Sequence, residues 1–551
     1  MNRNVFQEHI RQTVDGFLQT VVIVDDEAYR KVTPTASDAD ADAWDDLDTS
    51  SPSSGVQLKL KSPAVVAPPD DLSAQKVAEA FAIHGLTCAM LSPQNQKENK
   101  KVRTPLLAAA RRADLVVLDW NINDDFGETT KILFRGLLEM DRDIERRLRV
   151  VAIYTGEPQL SDIADKIMQI AKEEMPDSEI VSDPILPQFT CGPVRVAVLA
   201  KEHIVSIPIH LEPQRTTIDD LPSRLADEFS TLCNGLVPSA ALAALTGIRR
   251  ETHRLLTALG PHLDIAFLGH RVALVKPEES ERHLESLISA EISAIIDDSQ
   301  VGNMISVDNI AKWLESRDDL PTAFSLPKNG SIVDSIDIDG LHADFIKFGL
   351  SDEYIGEHPA TYTPLSKSKL KLLRNSATEL FSKKEMAEKS NNSLFEKMAI
   401  RTRYSNPAPI LTLGSIVRHT RGYAICVQPL CDSTRLRSAT SFPFLPLEFC
   451  QDGDKGENLI VVRTSASQDR WLTFKIRLQP SELTLVEFEP IEGSIRCTSK
   501  KDKSVFVSTT GHFYEWLAEL KVNNAQRVVE KLANAFSRVG LDEAELLRLR
   551  R

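Results

Sequence analysis

The sequence predicts an α/β fold with a doubly wound sheet of five parallel strands, then an all-helical module and a small β-barrel-like domain with a C-terminal helix. Three observations predict this order. Up to about residue 205, short apolar runs alternate with helical patterns, as in βαβ units. From about residue 212 the periodicity is helical only, and from about residue 409 it is strand-like with turn signals. A chain of 551 residues is long enough for three or four such domains.

The strands of the first domain are predicted from β-branched and apolar runs that do not alternate with polar residues, which is typical of strands buried on both faces. They are residues 20–24, 86–91, 114–118, 150–154 and 194–200. Helical periodicity predicts helices at residues 71–84, 128–148 and 160–174. Between the first strand and the first helix, residues 33–69 are rich in Asp, Ser and Pro. This composition predicts an acidic insertion at about 28–70, either a tolerated surface loop or a regulatory lid or partner site.

The rest of the chain divides by pattern. We predict a first domain at 1–211, a helical domain at 212–317, a turn-rich segment with charged helices at 318–408, a β-rich domain at 409–510 and a helical tail at 511–551. The helical domain contains one apolar stripe at helical spacing, formed by Leu284, Leu287, Ile288, Ile292, Ile295 and Ile296. The β-rich domain has strand candidates at 411–418, 423–428, 459–464, 471–478, 481–489 and 505–508, with hairpin signals at 452–453 and 500–503. The tail is expected to break near Gly540.

Composition excludes several classes of protein. The net charge is −14, so the surface as a whole does not bind polyanions, and nucleic acid is not an expected ligand. Seven cysteines form no CxxC pair, which favours reduced thiols over disulfides or a zinc site. The charged N-terminus resembles no secretory signal and no apolar run reaches about 18 residues, so we expect a cytoplasmic protein without a membrane segment.

Chemically reactive side chains stand at the ends of four of the five strands. Asp25 and Asp26 follow the first strand, Asp119 the third, Thr155 the fourth and Lys201 the fifth. Because the carboxyl ends of parallel strands converge on one crevice, these side chains are expected to meet there. Three carboxylates are a suitable site for Mg²⁺ and leave one as a nucleophile, while a hydroxyl and an ammonium can stabilise a phosphoryl group. The expected reaction is phosphoryl transfer onto Asp119, with Thr155 and Lys201 assisting.

These residues resemble the signature of the response-regulator receiver domain, a flavodoxin-like fold. Val24-Asp25-Asp26, Leu118-Asp119, Thr155-Gly156 and Lys201 match it in order and strand position, over about residues 15–210. The resemblance implies that Asp25, Asp26, Asp119 and the backbone carbonyl of Asn121 hold Mg²⁺. It also implies that a sensor histidine kinase supplies the phosphoryl group.

The sequence departs from the receiver pattern in several places. The loop after Asp26 and the interval 155–201 are longer than usual, Glu202 stands where receivers have proline, and Val198 stands where they have an aromatic switch residue. Asn121 and Glu157 occupy the positions that tune loss of the phosphoryl group, and their types resemble those of a rapidly self-dephosphorylating chemotaxis receiver. We therefore expect a labile phosphoaspartate. The alternative is a degenerate receiver whose polar residues only solvate the strand ends.

Other motifs are weaker. A Cys/His pair formed by Cys431 and His419 could supply a nucleophile and its base, but a cysteine in an apolar strand is more often a core residue. The segment 431–447, with Cys426 just before it, is predicted as a strand followed by an irregular apolar turn. The spacing of His253, His262 and His270 does not favour a zinc site. A short basic run is expected to be a solvated helix face, and it consists of Lys367, Lys369, Lys371 and Arg374.

Together these observations predict a phosphoacceptor with no separate enzymatic output, acting as a signalling component or a phosphate sink. By architecture the chain resembles the receiver proteins of bacterial two-component-like anti-phage defence operons. One alternative is a receiver that controls a helical or β-barrel region which binds nucleic acid or a protein. The other is an enzyme that uses the Cys431 region. A homodimer is a further expectation.

Overall fold

The structure, a computed structural model, describes residues 5–26, 74–93, 99–142, 147–275, 277, 279–299, 301–328, 331–350, 371, 373–404, 407–450, 458–465, 470–500, 503–536 and 548. The chain divides into two compact units, Met1–Asp318 and Asp319–Arg551, each of which is described by itself. The acidic insertion predicted at about 28–70 lies outside the described residues. Among the helices that are described, none has the length and apolar character needed to cross a membrane.

The first unit is built on an eight-stranded sheet. Its strands are β1 (Thr20–Val24), β2 (Thr87–Leu91), β3 (Leu115–Asp119), β4 (Arg149–Thr155), β5 (Ile180–Ser182), β6 (Gln188–Cys191), β7 (Val194–Lys201) and β8 (Arg215–Thr216). The order is β2-β1-β3-β4-β7-β6-β5, and β8 pairs with β7. The five strands from β2 to β7 run parallel, in the order of a flavodoxin-like sheet. The predicted parallel strands are therefore confirmed, each within one residue at either end.

The sheet has three more strands than the sequence predicted. β5 and β6 form an antiparallel hairpin whose inner strand pairs with β7, so they account for the long interval between β4 and β7. β8 adds a short parallel pairing at the far end of β7. These strands are two to four residues long, too short for a periodic signal to identify.

Helices cover both faces of this sheet. They are α1 (Val5–Phe17), α2 (Ala74–Ile83), α3 (Asn99–Arg112), α4 (Glu128–Met140), α5 (Leu160–Glu174), α6 (Leu221–Leu232), α7 (Leu236–Ala258), α8 (Asp264–Ala273), α9 (Glu279–Asp298) and α10 (Val307–Glu315). Side chains of α3, α4 and α5 form one core with alternate strand residues such as Val22 and Val24. Side chains of α1, α2, α6 and α7 form the second core with Val21 and Ile23. The first helices of the predicted helical domain therefore belong to the core of the sheet.

Two helical predictions differ from the structure. The helix expected at 128–148 ends at Met140, and the next residue, Asp141, forms a buried ion pair with Arg149 at the start of β4. The predicted apolar stripe does lie on one helix, α9, but it is not buried as a core stripe would be. Leu284, Leu287 and Ile288 are exposed, while the remaining three residues of the stripe are partly buried.

The described residues of the second unit include a hairpin, several helices and a nine-stranded antiparallel sheet. The hairpin is β9 (Ala323–Lys328) and β10 (Ser331–Asp337), and the helices are α11 (His342–Phe348), α12 (Lys384–Ala399) and α13 (Val522–Phe536). The strands are β11 (Ser415–His419), β12 (Gly422–Cys426), β13 (Thr440–Phe449), β14 (Leu459–Ser465), β15 (Arg470–Ile476), β16 (Thr484–Phe488), β17 (Thr498–Lys500), β18 (Lys503–Val507) and β19 (Phe513–Glu519). Their order is β14-β15-β13-β12-β11-β19-β18-β17, with β16 paired to β13. The region is rich in β-strands as predicted, and they form an antiparallel sheet, whereas the barrel-like closure stays a prediction.

The sequence was wrong about three segments of the second unit. Residues 442–447, expected as an irregular turn, lie inside β13, and residues 430–432 form a short 3₁₀ helix rather than a strand. The tail does not begin as a helix, because Phe513–Glu519 is strand β19. The turn-rich segment after residue 318 contains β9, β10 and α11. The turn at 500–503 does join two paired strands, whereas the signals at 452–453 and Gly540 lie outside the described residues.

Candidate functional site

The carboxyl ends of the parallel strands bring the predicted acidic residues together. Asp25 and Asp26 follow β1, and Asp119 is the last residue of β3, the strand beside it. One carboxylate oxygen from each residue lies within 4.8 Å of the other two. Asp25 and Asp119 are almost fully buried and Asp26 is partly exposed. Each strand is apolar up to its last residue, so the sheet core places the polar group that follows at the rim.

Lys201 joins two of these carboxylates. It ends β7, and its Nζ lies 3.1 Å from Oδ2 of Asp25 and 3.3 Å from Oδ1 of Asp119. The side chain is buried, with only 7% of its surface exposed. Three negative charges therefore share one positive charge in a space that water hardly reaches, which leaves the site with an excess negative charge.

Asp119, the candidate nucleophile, has a pKa that is set mainly by its burial. Burial raises the pKa of Asp119 to about 6; Lys201 lowers it and Asp25 and Asp26 raise it further. For Lys201, burial favours the neutral amine, but Asp119 and Asp25 outweigh that effect and raise its pKa above the usual value. Near neutral pH the site therefore contains an ammonium and an Asp119 carboxylate that is mostly ionised.

A cation fits the residues of this cluster. Oδ1 of Asp26 is buried and has no hydrogen-bond partner in the described part of the chain. An unpartnered carboxylate oxygen beside two further carboxylates is costly unless a positive charge accompanies it. Oxygen ligands of this kind suit a hard divalent ion such as Mg²⁺. Asp25, Asp26 and Asp119 could hold such an ion.

Thr155 lies at the end of β4, between β3 and β7. It is fully buried, and its Oγ1 accepts a hydrogen bond of 3.0 Å from the backbone N–H of Glu157. That bond uses a lone pair of the hydroxyl, so the hydroxyl proton can still be donated to an oxygen at the rim. The Glu157 side chain is partly exposed.

Asn121 belongs to a tightly wound loop between β3 and α4. Its side-chain oxygen accepts from the N–H of Phe126 at 3.1 Å, and its amide group donates to Asp124 at 3.4 Å. Left-handed backbone conformations occur at Asn123, Asp124, Phe126 and Gly127. The side chain of Asn121 is thus engaged within its own loop, and it must leave these bonds before it can orient a water beside Asp119.

Gly127 is required by the packing of this loop. Its φ is +88°, and a Cβ there would lie 2.4 Å from the ring of Trp120. Trp120 directly follows Asp119 and is buried, with the ammonium groups of Lys131 and Lys166 at 5.9 and 5.7 Å from its ring centre. The loop beside Asp119 is therefore fixed by an indole ring that the sequence analysis did not single out.

Two further residues near the site were missed. His203, two residues after Lys201, lies over the Thr155-Gly156 turn, and its Nε2 would be 3.2 Å from a Cβ at Gly156. Tyr154 donates a 2.9 Å hydrogen bond to the carbonyl of Thr216 in β8. The position of Tyr154 next to Thr155 was a usable signal, whereas no pattern in the sequence indicates where His203 lies.

The predicted departures from the receiver pattern are visible in the structure. Val198, at the switch position, is fully buried in β7. Glu202 is exposed, and no cis peptide bond occurs among the described residues. The loop after Lys201 turns back through a bond from the N–H of Ile204 to the Lys201 carbonyl.

The weaker motifs do not form a second site of this kind. Cys431 is exposed on a short 3₁₀ helix, and Cys426 is buried in β12, where burial raises its pKa to about 12. His270 is hydrogen-bonded to His283 rather than grouped with His253 or His262. Of the basic run, Lys367 and Lys369 lie outside the described residues. Among described residues, only Asp25, Asp26 and Asp119 group as three metal-binding side chains.

Comparison with known families agrees with this geometry. Residues 17–206 match the model of a family described as the response receiver domain. This part of the chain is a response-regulator receiver domain, and it makes up roughly a third of the protein. A receiver domain accepts a phosphoryl group and so implies a phosphodonor. No curated protein matches the chain.

Proposed function

We propose that the protein takes a phosphoryl group from a phosphohistidine of a sensor kinase onto Asp119, with Mg²⁺ as cofactor. The observation that carries the proposal is the pairing of Lys201 with Asp119 and Asp25 beside the unpartnered oxygen of Asp26. That arrangement supplies a nucleophile, a fixed positive charge and a place for a cation. We propose no separate enzymatic output.

In the proposed step, the phosphoryl group passes from a nitrogen of the donor imidazole to an oxygen of Asp119. An ionised oxygen of Asp119 forms a bond to phosphorus while the P–N bond to the donor imidazole breaks. The electron pair stays on the imidazole nitrogen, which takes a proton from solvent. The ammonium group of Lys201 would stabilise the negative charge on the oxygens of the transferred phosphoryl group, and the Thr155 hydroxyl would donate a hydrogen bond to one of them. Bound Mg²⁺, held by Asp25, Asp26, Asp119 and the carbonyl of Asn121, would neutralise part of the same charge.

The phosphorylated state is proposed to be short-lived. Glu157 and Asn121 are residue types that can orient an attacking water. Because a buried valine stands at the switch position, we propose that the usual report to the opposite face is not made. A receiver that accepts and releases phosphoryl groups without that report would act as a phosphate sink. A place in an anti-phage defence pathway and a cytoplasmic location belong to the same proposal.

The proposal is tested by labelling the purified full chain with acetyl phosphate and Mg²⁺. We expect one phosphoryl group per chain, lost on treatment with hydroxylamine, which cleaves acyl phosphates. Asp119→Asn should abolish labelling. The matched control is Asp162→Asn, which removes an exposed carboxylate of α5 in the same domain. Equal labelling of wild type and Asp119→Asn would overturn the assignment.

A second candidate is a receiver that controls an output region. The exposed apolar residues of α8 and α9, such as Ile265 and Leu284, favour contact with a protein or a second copy of the chain. Light scattering with and without acetyl phosphate measures dimerisation, and a salt-dependent gel shift would indicate nucleic acid. The third candidate is an enzyme using Cys431, and Cys431→Ala would then remove an activity that Asp119→Asn leaves intact.

A further inference from the structure

The second unit contains a cleft of about 550 Å³ that the proposed function does not use. It lies between the end of α12, the segment that follows this helix, and strands β14, β18 and β19. The lining residues with chemistry are Glu396, Lys397, Arg401, Arg403, Arg463 and Trp516. Its volume is in the range of small-molecule sites.

The lining of this cleft is positive although the chain is acidic. Four cationic side chains line it, against the single carboxylate of Glu396, and that carboxylate accepts a hydrogen bond of 3.2 Å from the indole of Trp471. A second carboxylate, Glu519, lies 3.0 Å from Arg401 and neutralises that residue. An excess of positive charge remains, in a chain whose net charge is −14. A cleft of this kind attracts anions, and arginines favour phosphate through paired hydrogen bonds.

An aromatic platform stands beside these charges. The guanidinium of Arg403 lies 5.1 Å from the ring centre of Trp516, and that of Arg463 lies 5.5 Å from Trp471. The indole N–H of Trp516 is buried and has no hydrogen-bond partner within the described residues. Buried indole N–H groups usually find an acceptor, so this unpartnered donor is an unusual feature of a residue that lines the cleft.

We propose that this cleft binds a nucleoside phosphate. The planar base would stack at Trp516 and Arg403, while the phosphates would contact the remaining cations. Stacking on an aromatic ring and a guanidinium suits any nucleobase because every base has a π-face. The cleft is half open and its volume is that of a small-molecule site, which favours a mononucleotide as the ligand. The second unit would then bind a small molecule, whereas Asp119 belongs to the first unit.

Calorimetric titration of the full chain tests the proposal. The probes are ATP, GTP and AMP, with adenosine and inorganic triphosphate as the half-ligands. An Asp119→Asn background removes the acceptor of the first unit. We expect at least one nucleotide to bind with Kd below about 100 μM, and both half-ligands to bind more than about tenfold more weakly.

The variants separate the cleft from other cationic surface. Arg403→Gln and Trp516→Leu should each weaken nucleotide binding by about tenfold, whereas Arg437→Gln, an exposed arginine outside the cleft, should not. Thermal melting checks that each variant is folded. Since Arg403→Gln keeps the indole in place, it decides the test if Trp516→Leu does not fold.

Three results would overturn the proposal. The first is that no nucleotide shows saturable binding up to about 2 mM. The second is that inorganic triphosphate and ATP bind with equal affinity. The third is that the protein binds a single-stranded oligonucleotide that ATP does not displace. Labelling of Arg403→Gln by acetyl phosphate, in a background with Asp119 intact, is expected to equal that of the wild type. A change there would contradict a site separate from Asp119.

Discussion

Arg249, in α7, reaches the carboxylate of Asp114 with both terminal nitrogens, at 3.2 to 3.3 Å, at the amino end of β3. The same guanidinium donates to the carbonyl of Phe17 and lies 4.4 Å from its ring centre. Asp114 also accepts from the N–H of Thr20 and from Arg147. Helix α7 lies beyond the residues that match the receiver family. This contact attaches it to the amino ends of the strands, whereas Asp119 lies at their carboxyl ends.

Loss of this contact should destabilise the first unit. We expect Arg249→Met to lower the free energy of unfolding by about 1–2 kcal/mol, because the arginine is partly exposed. Asp114→Asn should cost more, about 2–4 kcal/mol, since the buried carboxylate serves several donors. Urea denaturation followed by circular dichroism measures both. Arg250→Met, at an exposed neighbouring position, is the control, and an equal loss there would contradict the role of Arg249.

A second ion pair is fully buried. Arg149 and Asp141 are 2.8 Å apart with no exposed surface, and Arg149 also donates to the carbonyl of Ala110. Removing one partner leaves an uncompensated charge, so Arg149→Met or Asp141→Leu should each cost about 3–5 kcal/mol. The double variant should be more stable than the sum of the single losses predicts. A double-mutant cycle by urea denaturation checks this, and strict additivity would contradict the coupling.

Binding of Mg²⁺ should weaken as the pH falls through about 6, the pKa to which burial raises Asp119. Below this pH the carboxyl holds a proton and one anionic ligand is lost. Calorimetric titration with Mg²⁺ at about pH 7.5 and about pH 5 measures the change, which we expect to be several-fold. The Asp162→Asn variant should follow the wild type. An affinity that does not change between these pH values would contradict the position of Asp119 in the metal site.

The same pKa has a consequence for the stability of the metal-free protein. Because the folded value of about 6 lies above the ordinary value of 3.8, the folded state binds more protons between them, and stability falls as the pH rises through this window. At neutral pH the buried carboxyl of Asp119 is ionised, so the full loss of folding stability is present. Asp119→Asn is therefore expected to raise the free energy of unfolding by about 3 kcal/mol in EDTA. A less stable variant, by urea denaturation, would contradict the burial of an ionised carboxyl there.

Decay of the phosphorylated protein should depend on Glu157. We expect Glu157→Ala to slow the loss of the phosphoryl group about three- to tenfold, because the side chain proposed to orient water is removed. Gel mobility in the presence of a phosphate-binding reagent, after acetyl phosphate is removed, follows the decay. Glu179→Ala, an exposed glutamate of the same domain, is the control. Identical decay of wild type and Glu157→Ala would contradict this role.

The sequence predicted the site better than the architecture around it. Residues Asp25, Asp119 and Lys201 could be placed because each ends or follows an apolar run, and parallel strands must end at one rim. By contrast, residues 442–447, which include Pro443 and Pro446, were predicted as an irregular turn but lie within β13. Proline opposes a strand only where its missing N–H would be needed. Whether the N–H is needed depends on which strands pair with β13, and these strands are distant in the sequence.

Other errors have the same origin. The apolar stripe of α9 was correctly assigned to a helix, but periodicity does not determine whether another element covers it, and Leu284 is exposed. The loop that holds Asn121 depends on a ring from Trp120 and on the absence of a side chain at Gly127. Contacts of this kind follow from the three-dimensional packing, and residue types alone do not predict them.

The strand that carries Lys201 has hydrogen-bonded neighbours on both sides, with β4 on one side and both β6 and β8 on the other. Its backbone therefore cannot accept a further strand from another molecule. Assembly by sheet extension is closed at this position, and any association of the receiver domain near Lys201 has to proceed through side chains of helices and loops.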